Sequence, residues 1–333
     1  MALLNPGEVS PWVRAAREDY AARERAALST LGPLPPSLEE FWTTIRLPDG
    51  WEPRVKVVRP KDLSGTHALI VLWYGGAFAM GSPDALAKTA WQFAETLGAV
   101  VVMPTHKHIP EHPWPAPMRS GWETLVYLSR HAETELGATL DGPGGGFVVG
   151  GVSSGATIAG VAAGISILGD AAVREHGIEA LAKPITGAYL HSGVLVTPKI
   201  VPDAYRNLWT SREDNRDSPS IGTATVDMVV ATLAPDETSQ WFSPLNTILA
   251  MNAEQIPSER RPRFLFHEGG IDCLRDDGVV LAKVLEDRGF ESKVQVFAED
   301  SHAAWIMFPW ESKAQDPSLG EAAVAEMRWL LRL

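Results

Sequence analysis

The chain of 333 residues holds a single cysteine, Cys273, so it cannot close an intrachain disulfide. Basic charge is also short: 29 Lys and Arg face 41 Asp and Glu, a net charge of -12. No basic patch stands out, which argues against a nucleic-acid groove or an anionic membrane surface as partner. No apolar run is long enough to cross a bilayer, and no stable membrane association is expected. Met1 to Arg14 lack the charged and apolar regions of a secretion signal, so a cytoplasmic protein is expected. Internal repeats and low-complexity tracts are missing. With 45% hydrophobic residues the chain can bury a full core, and a small molecule is the expected partner. Oligomeric state is left open, a homodimer included.

What is present is an alternation. Short apolar runs at His67 to Tyr74, Ala99 to Met103, Gly146 to Val149, Ala188 to His191, Arg263 to His267 and Val294 to Phe297 read as strands, after an alternating stretch at Arg54 to Val58. Helical spacing fills Leu86 to Leu97, Met118 to Leu136, Ala156 to Ile167, Asp277 to Arg288 and Leu319 to Leu331. That order predicts an α/β fold with a mostly parallel sheet covered on both faces. Residues 9 to 30 read as an exposed amphipathic helix, and Ser37 to Thr44 as a second short helical stretch. Between Ser192 and about Pro244 a polar, tryptophan-bearing insertion, with a helix near Thr223 to Leu233, interrupts the alternation. It is expected to lie over the strand ends as a lid. The expected organisation is one domain: a cap of about 1–45 and about 193–244 over a core of about 46–192 and 245–333.

Gly151-Val152-Ser153-Ser154-Gly155 sits where a strand gives way to a helix. Glycines on both sides of a serine permit the sharp turn that lifts a nucleophile above a sheet edge. The pattern alone would occur by chance in roughly one chain in ten of this length, and Ser153 could be an ordinary turn serine. Two later residues change the balance. Asp272 follows the strand Arg263 to His267, and His302 follows the last strand, giving the order Ser, acid, base that α/β-hydrolases use. Asp276 and Asp277 compete with Asp272 for the acid, but they stand at a helix start, where carboxylates favour the dipole without chemistry. The loop Tyr74-Gly75-Gly76-Ala77-Phe78 follows the first long apolar strand and can offer backbone N-H groups to an oxyanion.

Four blocks in this order resemble the hormone-sensitive-lipase-like branch of the α/β-hydrolases: Tyr74 to Ser82, Pro110 to Ala116, Gly150 to Ala156, and Gly269 to Gly278 with Ser301-His302. The resemblance covers about residues 50 to 330. It implies a triad of Ser153, Asp272 and His302, an oxyanion hole from the N-H groups of Gly76, Ala77 and Ser154, and a cap matching the two segments set aside above. Departures point to a specialised substrate: Tyr74 stands where a histidine usually opens the oxyanion loop, Ala77 replaces its third glycine, and Val152 replaces the acid before the serine. Ala303, Ala304 and Trp305 follow the late histidine.

Other patterns carry less. His108 to His112 matches H-x-x-E-H, yet Pro110 breaks the helix that a zinc site of that kind needs, so no metal is expected and Glu111 and His112 read as structural. Gly142 to Gly146 lacks the Lys that a phosphate cradle needs and runs into a strand. Tyr74, Phe78, Trp209, Trp241 and Trp305 are candidates for an aromatic substrate pocket. The expected function is a carboxylesterase-type serine hydrolase, without cofactor, acting on a small, bulky apolar or aromatic ester. Two other readings remain: a tailoring enzyme of the same fold (cyclase, acyl transferase or lactonase), and a non-catalytic ligand receptor.

Overall fold

The computed structural model describes residues 9–175, 177–303, 306 and 317–333. Eight strands, β1 Leu38–Thr44, β2 Arg54–Pro60, β3 Leu69–Trp73, β4 Val100–Pro104, β5 Phe147–Val152, β6 Gly187–His191, β7 Arg263–Gly269 and β8 Ser292–Phe297, form one sheet. Their order is β1-β2-β4-β3-β5-β6-β7-β8, antiparallel at β1/β2 and β2/β4 and parallel elsewhere. The helices are α1 Pro11–Leu28, α2 Ala87–Leu97, α3 Ala116–Leu136, α4 Ser154–Ser166, α5 Asp170–Glu175, α6 Ser211–Asp214, α7 Thr223–Leu233, α8 Pro244–Ile248, α9 Arg275–Asp287 and α10 Pro317–Leu331. Among the described residues no helix is long and apolar enough to cross a membrane.

The parallel strands are apolar on both faces because both are covered. Leu69, Val71, Trp73, Phe147 and Val149 join one buried cluster with side chains of α3, α4 and α9; Ile70, Leu72, Val148 and Val152 join another with α2 and α10. Every residue of α4 is buried, and its small side chains follow from close neighbours. A Cβ on Gly164 would lie 3.1 Å from the Pro244 backbone of α8. After β3 the chain steps to one side into β4, and after β4 to the other side into β5, so β3 and β5 are neighbours with connections leaving in opposite directions. That reversal opens a crevice above the strand ends, the usual ligand position in such sheets.

The stretch expected to be a second short helix is the edge strand β1. Its burial does not alternate, because Glu39 and Glu40 are held by charge at the rim. Arg59 Nε meets Glu39 at 2.6 Å, and Lys56 Nζ meets Glu40 at 2.8 Å. Charged side chains along an edge protect it from pairing with other chains, and they hide the two-residue period that marks a strand.

Candidate active site

β5 delivers Ser153 into the crevice with φ 55° and ψ -125°, and α4 starts at the next residue. A left-handed φ costs a non-glycine residue roughly 1–2 kcal/mol, so the surroundings must enforce it. Gly151 and Gly155 are the reason the turn can close. A Cβ on Gly155 would lie 2.1 Å from the Trp73 carbonyl oxygen, and one on Gly151 would lie 2.5 Å from it. The Ser153 N-H donates to the His191 carbonyl at 2.8 Å, fixing the elbow to β6. Val152, where an acid was expected by resemblance, is fully buried in the cluster on the α2 and α10 side.

The loop after β3 is strained in the same sense. Gly76, Ala77 and Phe78 have φ of 140°, 55° and 60°, two of them non-glycine residues in the left-handed region. The turn closes on itself through the Ala79 and Met80 N-H groups, which donate to the Gly76 carbonyl at 2.9 and 3.0 Å. Outside help comes from the Ile109 N-H to the Phe78 carbonyl at 3.0 Å and from α1. Tyr74 is fully buried beneath this loop. Burial pushes its hydroxyl well above the ordinary range, so it stays protonated, and it shares a 3.0 Å hydrogen bond with His108 Nε2. Its ring stacks on His106 with centroids 5.1 Å apart. Burial brings the His106 imidazole down to about 4, and His108 is depressed for the same reason, so both rings are neutral. Tyr74 therefore shapes the loop from below.

Asp272 and His302 stand beyond β7 and β8. His302 Nδ1 and Asp272 Oδ2 are 2.8 Å apart, and Asp272 Oδ1 accepts the Leu274 N-H at 2.9 Å. Burial alone would raise the Asp272 carboxyl; the facing His302, by charge and by hydrogen bond, and the Leu274 N-H outweigh it and bring it below 3.8. The insertion holds these loops directly. Asn215 Nδ2 donates to the Gly270 and Asp272 carbonyls at 3.0 and 2.9 Å; Ser211 Oγ and Arg212 Nη1 donate to the Cys273 carbonyl at 2.9 and 2.6 Å. Ser220 Oγ accepts the His302 N-H at 3.1 Å.

Asp276 and Asp277 do more than favour a helix dipole. Asp276 Oδ2 accepts the Thr210 and Ser211 N-H groups at 2.8 and 2.7 Å. Asp277 Oδ2 accepts the Leu195 and Val196 N-H groups and Arg212 Nη2, at 2.9, 3.0 and 3.0 Å, while Oδ1 accepts Trp209 Nε1 at 2.9 Å. Both carboxylates fasten the insertion to α9.

Ser153 and His302 share the wall of a cavity of about 320 Å³. Gly76, Ala77, Phe78 and Ser154 line it too, below Tyr20 and Arg23 of α1 and Val226 and Val229 of α7. The walls are mainly apolar, with Phe78, expected in an aromatic pocket, and Tyr20 among them. Trp209 and Trp241, expected in a pocket, are placed elsewhere: Trp209 against Asp277 and Arg212, and Trp241 in the core under Arg119. Tryptophans of a polar insertion can anchor it instead of facing a ligand. Tyr74 is likewise absent from the lining, and Trp305 lies outside the described residues. Cys273 is buried, with its thiol raised by burial to about 11 and donating to the Ile221 carbonyl, so it is no nucleophile. The His108 to His112 stretch is not helical, and Glu111 is paired with Arg17. Sequence reasoning missed Arg17, Tyr20, Asn215 and Ser220. Tyr20 and Arg23 are three residues apart on α1, and only the charged, periodic helix around them was visible as a signal.

The family described as alpha/beta hydrolase fold matches residues 70–306. Among curated relatives, the FAD-linked oxidoreductase pytB of Aspergillus terreus is 23% identical over 90% of this chain, which spans only 33% of that longer protein. Carboxylesterase NlhH of Mycobacterium tuberculosis is 26% identical over 71% of this chain and 66% of its own length. Among solved structures, vibralactone cyclase superposes with a TM-score of 0.77 at 20% identity, covering 99% of this chain and 92% of that one; at that identity the likeness speaks for the fold alone.

Proposed function

The chain belongs to the alpha/beta hydrolase fold family, and from that premise we propose that it is a carboxylesterase-type hydrolase working through Ser153, His302 and Asp272. The observation that carries the reading is the 2.8 Å His302 to Asp272 bond beside a cavity that Ser153 and His302 both line. Asp272 keeps the imidazole Nδ1 protonated, which leaves Nε2 free to take the Ser153 proton as its oxygen attacks an ester carbonyl. The tetrahedral oxyanion is held by the N-H groups of Gly76, Ala77 and Ser154; loss of one oxyanion donor typically raises the barrier by about 2.7–4 kcal/mol. His302 then protonates the leaving alcohol, and a water, deprotonated by the same ring, releases the acid.

The cap in this reading is α1 with the 193–244 insertion, which supply Tyr20, Arg23, Ile221, Val226 and Val229 to the cavity. At about 320 Å³ the cavity is near the lower end of small-molecule pockets, ~300–1,000 Å³. That volume and the apolar walls favour a short or branched apolar ester over a large one. Ser153→Ala tests the proposal: turnover of p-nitrophenyl butyrate is expected to vanish while circular dichroism stays unchanged, and undiminished turnover ends it. Product mass separates hydrolysis from cyclisation, because hydrolysis adds one water and cyclisation adds none.

A further inference from the structure

Resting on that serine mechanism, we infer that Arg17 is a positioning residue that holds the oxyanion loop in its working conformation from the N-terminal helix. Ala77 and Phe78 keep left-handed backbones that an alanine and a phenylalanine leave readily when nothing enforces them. Inside the loop, a single turn closed on the Gly76 carbonyl and the burial of the Phe78 ring resist that relaxation. Arg17 supplies the external restraint. Its Nε donates to the Ala79 carbonyl at 2.7 Å, one residue past the strained pair. Its Nη2 donates to the Ile109 carbonyl at 3.1 Å, in the residue whose own N-H holds the Phe78 carbonyl. Glu111 aims the guanidinium by a two-pronged pair, 2.6 Å from Nη1 and 2.8 Å from Nη2. One planar side chain thus joins the loop, the segment it leans on and α1. One turn further along α1, Tyr20 donates to the Gly75 carbonyl at 3.4 Å and lines the cavity. The geometry suits arginine, whose fixed fork can serve two carbonyls and a carboxylate together, as a lysine cannot.

The test compares Arg17→Met, Arg17→Lys, Glu111→Gln and Ser153→Ala with the parent on p-nitrophenyl butyrate and on an aliphatic trifluoromethyl ketone, whose serine adduct carries the oxyanion. Arg17→Met is expected to lose about 10- to 100-fold in kcat, less than outright removal of an oxyanion donor, with KM within about twofold. Its affinity for the ketone falls by a similar factor. Arg17→Lys recovers part of the rate by keeping one donor for Ala79, and Glu111→Gln loses less than Arg17→Met. A folded Arg17→Met with parental kcat, a loss confined to KM, or an equal loss in Glu111→Gln overturns the role. Should Arg17→Met not fold, Arg17→Lys decides: an intermediate kcat supports the inference and a parental kcat overturns it. An active Ser153→Ala instead removes the serine mechanism itself; an inactive one beside an undiminished Arg17→Met removes only the part played by Arg17.

Discussion

Replacing Asp277 by asparagine separates two accounts of why carboxylates stand at the start of α9. If Asp277 only complements the helix dipole, its charge is worth about 0.3–1 kcal/mol. The structure describes something larger. Asp277 has no exposed surface, and the side chain of its partner Arg212 is 11% exposed. One oxygen receives three donors and the other receives Trp209 Nε1. An asparagine can turn its carbonyl toward the three donors, but its amide then faces the indole N-H, donor against donor. It also leaves the Arg212 charge unpaired in a buried place, and breaking such a pair from one side costs about 3–5 kcal/mol. Urea unfolding of Asp277→Asn, Arg212→Met and the double variant measures this. A single-variant loss above about 2 kcal/mol with much of it regained in Asp277→Asn/Arg212→Met is expected, because removing both charges leaves none stranded. A loss of 1 kcal/mol or less in Asp277→Asn refutes the fastening role and restores the dipole account.

Glu268 is fully buried on β7, and burial first, then Asp272, Asp277 and Asp276, hold its carboxyl well above 4.5. A folded-state value above the unfolded one gives a contribution present below about pH 4.5 and lost as pH rises beyond it. Glu268→Gln is therefore expected to move the urea midpoint to higher concentration at pH 8, with little change at pH 4; a gain confined to pH 4 contradicts this. Asp272→Asn leaves the site's shape intact but lets the imidazole take the wrong tautomer, so kcat on p-nitrophenyl butyrate should fall about 10⁴-fold, and a loss under tenfold would exclude Asp272 as the orienting acid.

The parallel core was legible because its strands are buried on both faces and so stand out as apolar runs between helical periods. The helix of the insertion, Thr223–Leu233, falls where its pattern placed it. β1 was misread because edge charges, Glu39 and Glu40 with their Arg59 and Lys56 partners, give no alternation. Ser153, Asp272 and His302 could be singled out by order along the chain, since each follows the C-terminal end of a parallel strand, and the structure does bring His302 to Asp272 and to the cavity that Ser153 lines. The supporting contacts could not be read in the same way. Arg17 reaches residues 62 to 94 positions away, and Asn215 and Ser220 meet their partners across 55 to 82 positions. No local pattern encodes such pairs. The tryptophans misled for a related reason: an indole in a polar segment can face a ligand or anchor the segment, and Trp209 was placed by Asp277, a residue that its neighbourhood in sequence presents as a helix-start acid.

The most direct measurement is intact-mass analysis of the protein after exposure to a fluorophosphonate, followed by peptide mapping. One adduct per chain, carried by Ser153 and accompanied by complete loss of esterase activity, is the predicted result. An unmodified protein, or activity lost through an adduct on a different residue, would contradict the assignment of Ser153 as the nucleophile.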